Sequence, residues 1–197
     1  SKASGFLAAP GRYSVKMYSK VDGKLAELSD SQSFDVVPLR SGALPTDDFE
    51  NIASFWREYE RTVRRASAIQ TTVANSLKKI TSMNTALSQS TADVGDLDRR
   101  LSTLRSSLME MDEDLSGNRS KMGPGEKTKP TAGSRLFVVQ RVIEYATFGP
   151  TQTAKENLRL AQNDLDKIES QLNQNSKDLD ALSRRLEKVG APWIEGE

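Results

Sequence analysis

Three long series of residues, mostly apolar, repeat at alternating spacings of three and four. That period dictates helices packed along seams. The first series is Phe49, Ile52, Trp56, Tyr59, Val63, Ala66, Gln70, Val73, Leu77, Ile80, Asn84 and Leu87, with Gln70 and Asn84 as polar interruptions. The second is Val94, Leu97, Leu101, Leu104, Leu108, Met111 and Leu115, with none. The third is Leu158, Ala161, Leu165, Ile168, Leu172, Asn175, Leu179, Leu182, Leu186 and Val189, interrupted at Asn175. An α-helix turns once in about 3.6 residues, so this spacing keeps one stripe on one face. Sustained over three or more heptads, it specifies a coiled coil.

Punctuation places the ends. Thr46 offers an N-cap for the first helix, with Asp47, Asp48 and Glu50 in its first turn, where the helix dipole favours acids. Residues 117–133 are rich in Gly, Pro, Lys and Thr and nearly devoid of apolar residues, and read as an exposed loop. Ser134 is placed to cap a short helix carrying Leu136, Val139, Val142, Ile143 and Ala146, which Gly149-Pro150 ends. Thr153 and Glu156 form a capping-box pattern for the last helix; Gly190 and Pro192 signal its end.

At 1.5 Å per residue the first helix spans about 65 Å and the last about 55 Å. The second, about 35 Å, and the short one, about 22 Å, together match a third rod. The expected fold is mainly α: an antiparallel three-rod coiled-coil bundle whose middle rod is interrupted by loop 117–133, with a four-helix arrangement as the alternative.

The first forty residues follow a different period. Tyr13, Val15 and Met17 alternate with Ser14, Lys16 and Tyr18, the period of a strand. Asp22-Gly23 is a turn signal, and Phe34 and Val36 lie in a second strand closed by Pro38. The reading is an N-terminal β-hairpin over residues 1–40 with a long irregular connection, then a linker from Ser41 to Pro45, then the helical bundle over 46–190. A lone hairpin is marginal in water, so it needs a partner surface, expected on the helices near Phe55 or in another copy of the chain.

Composition narrows the chemistry. The chain has neither His nor Cys, which removes imidazole acid–base work, thiol nucleophiles, disulfides and the usual zinc and copper ligands. No cofactor and no metal is expected. Lys and Arg number 28 against 27 Asp and Glu, so charge supplies no case for a nucleic-acid or anionic-membrane partner, and no apolar run is long enough to span a bilayer.

Carboxylates cluster at Asp47-Asp48, at Glu110 with Asp112 to Asp114, and at Asp164 with Asp166. A glycosidase needs two carboxylates across a sugar-sized cleft, whereas a filled coiled coil has none, so these read as solvated helix faces. Arg64-Arg65, Arg99-Arg100 and Arg184-Arg185 are interleaved with acids and read as flank ion pairs. Gly123-Pro124-Gly125-Glu126-Lys127 lacks the spacing of a phosphate loop. The remaining binding candidates are Phe55, which falls off the seam beside Trp56, and the basic loop residues Arg119, Lys121, Lys127 and Lys129.

The order of features resembles the C-terminal region of bacterial sortilin-like, BNR/Asp-box repeat propeller proteins, often labelled glycosyl hydrolases by similarity. Ala9, Pro10, Gly11, Tyr13 and Val15 match an A-P-G-x-Y-x-V strand segment, and Gln32, Phe34 and Val36 the following Q-x-F/L-x-V. Ser134 to Thr151 is similar to the short helix before a Pro-Thr start, and Leu182, Leu186, Gly190 and Pro192 to the closing run. The chain departs from the pattern at Val37-Pro38-Leu39, where the family has Asp-Pro-Arg, and no stretch has the Asp-box form. The resemblance implies an upstream propeller, an exported (periplasmic or extracellular) parent, and no active-site residue within this chain. The chain, which opens Ser1-Lys2-Ala3, is then expected to be a C-terminal portion of that parent. Its expected role is a non-catalytic protein-interaction or spacer module, with a protein partner, self-association or the upstream propeller as its contact. The alternative is an accessory domain of an exported hydrolase whose active site lies upstream.

Overall fold

The computed structural model describes residues 8–37, 49–91, 95–118, 128–145 and 149–190. The expected caps and acids at Thr46, Asp47 and Asp48, and also Val94, Ala146 and Pro192, lie outside them.

The N-terminal segment is a β-ribbon built from two successive antiparallel ladders. β1 (Gly11–Val15) pairs with β4 (Gln32–Val36), Tyr13 opposite Phe34 and Arg12 opposite Asp35. Nested inside, β2 (Tyr18–Val21) pairs with β3 (Lys24–Glu27). Asp22 and Gly23 close it with φ of 50° and 79°, the two positive values that a type I′ hairpin turn requires. The connection expected to be irregular is therefore itself a hairpin. Its strands escape the period-2 pattern because Tyr18-Ser19-Lys20-Val21 sets two polar residues side by side. Between the ladders Leu28 N–H donates to Met17 O (2.9 Å) and Met17 N–H to Ser29 Oγ (3.1 Å), so the ribbon stays continuous.

Among the described residues four helices follow: α1 (Phe49–Gln89), α2 (Leu97–Ser116), α3 (Ala132–Tyr145) and α4 (Gln152–Lys188). They form three rods, the middle one made of α2 followed by α3. Cross-links fix the directions. As residue number rises along α1 from Glu58 through Arg65 to Lys79, the α4 partner rises from Gln162 through Asp166 to Asp180, so α1 and α4 run parallel. From Asp96 to Ser107 the α4 partner falls from Arg185 to Asn175, so α2 is antiparallel to α4. Gln70 Nε2 donates to Ser116 Oγ (3.0 Å), tying the end of α2 to the middle of α1.

The core has two parts. One joins the later half of α1, all of α2, the start of α3 at Ala132 and α4 from Leu165 onward, through Ile80, Met83, Leu101, Leu108, Leu165 and Leu182 among others. The other joins the start of α1 to α3 and the start of α4, through Phe55, Tyr59, Leu136, Val139, Leu158 and Ala161. Where α2 ends, α3 takes over its place as the third rod. The two meet closely at Gly133, where a Cβ would lie 2.8 Å from Leu115 O.

The seams of α2 and α4 are those expected: every named position within the described residues is buried except Asn175 and Val189, which are half-buried. That of α1 differs. Ile52, Tyr59, Val73, Ile80 and Leu87 are buried as expected, but the intervening buried positions are Phe55, Thr62, Ile69 and Met83. They fall three residues after the preceding seam position, where Trp56, Val63, Gln70 and Asn84 fall four after. Each branch contains apolar and polar residues, so the spacing alone is degenerate. Packing against two neighbouring rods settles it and widens the buried stripe until Trp56, Ala66 and Leu77 pack at its margin.

The caps also move. Thr131, not Ser134, opens α3: Ser134 N–H donates to Thr131 Oγ1 (3.2 Å) and Thr131 N–H to Ser134 Oγ (2.8 Å), a reciprocal capping box. Loop 117–133 thus ends earlier than expected, since Ala132 is already helical and fully buried. Thr151, not Thr153, caps α4, its side chain accepting from Ala154 N–H (3.2 Å). Gly190, with φ of 75°, ends that helix as expected.

Candidate interaction surface

The ribbon has two unlike faces because opposed residues in an antiparallel pair point the same way. One face carries Tyr13, Val15, Phe34 and Val36; the other carries Arg12, Ser14, Ser33 and Asp35. Tyr13 and Phe34 stack with centroids 6.1 Å apart. The apolar face stays open: Val15 is 56% and Phe34 49% exposed. Most of the exposed large apolar side chains among the described residues belong to this ribbon; on the helices Phe137, Met109, Val138 and Val63 stand out singly or in a pair. Lys16 pairs with Glu27 at 2.5 Å across the junction of the ladders.

Among the described residues the ribbon approaches the helices beside Trp56. Ala8, Ala9 and Tyr13 line a cavity of about 240 Å³ whose other wall is Ala53, Trp56, Arg57 and Glu60 of α1. Tyr13 Oη donates to Ala9 O (2.8 Å), fixing the ring at that rim. The expected anchor, Phe55, is not there. It is buried under α3 with Tyr59, Leu136 and Val139, and its neighbour Trp56 stands at the cavity instead.

Phe55 is therefore core and presents no surface. Lys129 is exposed just ahead of α3, whereas Arg119, Lys121 and Lys127 lie outside the described residues.

A second, polar groove of about 500 Å³ runs between α1 and α4. Its groups answer one another. Thr62, 5% exposed, donates from Oγ1 to Glu58 O (2.8 Å) and accepts from Gln162 Nε2 (3.2 Å). Gln162 Nε2 also donates to Glu58 Oε1 (2.9 Å). Arg65 reaches both Asp166 (2.7 Å) and Glu169. The Glu169 hydrogen bond, aided by Asp166, raises the Arg65 pKa above its ordinary value. The groove fastens two parallel rods.

Other charges pair along the flanks of the rods. Arg64 pairs with Glu60 (2.8 Å), and Lys79 with Asp180 (3.3 Å). Arg135 Nε meets Asp164 at 3.3 Å as an ion pair, its geometry falling short of a directed hydrogen bond. Arg185 donates to Asp96 (2.8 Å), which holds that carboxyl below its ordinary pKa. Glu156 is held low in the same way by Arg159. The acids at the end of α2 stand exposed, with Asp112 half-buried. Among the described residues no three His, Cys, Asp or Glu side chains gather into a metal-sized cluster. No described helix is long and apolar enough to cross a membrane.

Sequence reasoning missed the inner ladder, the Thr62–Gln162 link and the Arg185–Asp96 clamp. Only the first had a sequence signal, the Asp22-Gly23 turn. No family model, no curated protein and no solved structure matches the chain.

Proposed function

We propose that this chain is a non-catalytic protein-interaction or spacer module at the C-terminal end of a larger, propeller-containing, exported protein. The observation that supports this reading most is the division of apolar surface. The helices bury most of theirs against one another, while the ribbon leaves Tyr13, Val15 and Phe34 open beside the start of α1. A two-stranded ribbon is marginal alone in water, so its open face calls for a cover. In this reading the cover is β structure of the polypeptide preceding Ser1, and the bundle holds that junction away from whatever lies beyond.

The test adds the separately purified upstream polypeptide in excess and follows amide hydrogen exchange. Protection of β1 and β4, lost in Tyr13→Ser/Phe34→Ser, is the expected result. A reading frame with no propeller ahead of Ser1, or exchange in the ribbon unchanged by the upstream polypeptide, overturns it. Glycoside hydrolysis by the upstream polypeptide that requires this chain would favour the accessory-domain reading.

A further inference from the structure

We draw no further inference here: the strongest candidate, the open apolar face of the β-ribbon at Tyr13, Val15 and Phe34, belongs to the surface already described, and nothing in the structure shows what else covers it.

Discussion

At Phe55 and Trp56 two adjacent aromatic rings take different parts, and the difference is measurable. Phe55 is 7% exposed between α1, α3 and α4; Trp56 sits at the margin by the ribbon. Phe55→Ala should cost about 3–5 kcal/mol, because it deletes a ring from a filled core. Trp56→Ala should cost distinctly less in the same denaturant titration, and equal costs would restore the seam expected from spacing. The polar interruptions also separate. Asn175 Nδ2 donates to Ser107 Oγ (2.9 Å), but Asn84 Oδ1 is enclosed without a partner. An unpaired buried acceptor costs about 1–3 kcal/mol, so Asn84→Leu should raise Tm more than Asn175→Leu does. The opposite order in a thermal melt would mean that Asn84 is satisfied in solution. The sequence made polar breaks visible as breaks. Whether Asn175 carries a hydrogen bond depends on Ser107, a residue 68 positions away that no local pattern couples to it.

Within single elements the ends were harder to read than the middles. Thr151 and Thr153 are both plausible caps by composition, and only backbone geometry chooses: Thr151 is extended, with ψ of 157°, and accepts from Ala154 N–H. Thr151→Ala should destabilise by about 1 kcal/mol and Thr153→Ala hardly at all, by chemical denaturation. The joint between α2 and α3 depends on a missing side chain. Gly133→Ala should lower Tm although alanine favours helix, since the new Cβ would press on Leu115 O. A rise in Tm would separate the two helices at that point. The α2 entrance carries a pH signature. The Asp96 pKa is lowered, chiefly by Arg185, so this ion pair stabilises the fold above the unfolded carboxylate pKa, near 4. That contribution fades as pH falls through the lower folded value. Asp96→Asn should therefore reduce Tm slightly at pH 7 in low salt, with the gap to the parent closing in acid; a gap that persists or widens in acid would assign the effect to something other than this pair.

On the scale of the whole molecule, the three-rod plan follows from helix lengths and the position of the Gly- and Pro-rich break, both of which are read directly from sequence. The direction of the rods rests on cross-links such as Lys79–Asp180 and Arg185–Asp96, whose members look like ordinary flank charges until the rods are aligned. The outer strands and the Asp22-Gly23 turn of the ribbon were legible, but not its inner ladder and not its open surface, because burial depends on neighbours and the period-2 pattern names only a side. The central claim is that the bundle is complete without the ribbon, and that the ribbon carries the surface for association. Removing residues 1–40 tests both halves at once, by circular dichroism, thermal melting and sedimentation on the full chain and the shortened one. The account predicts unchanged helical signal per residue of the bundle, a cooperative melt, and loss of any concentration-dependent self-association. Collapse of the helical signal on deletion would place the ribbon in the core of the helices, and unchanged self-association would move the contact surface onto the rods; either result would contradict the account.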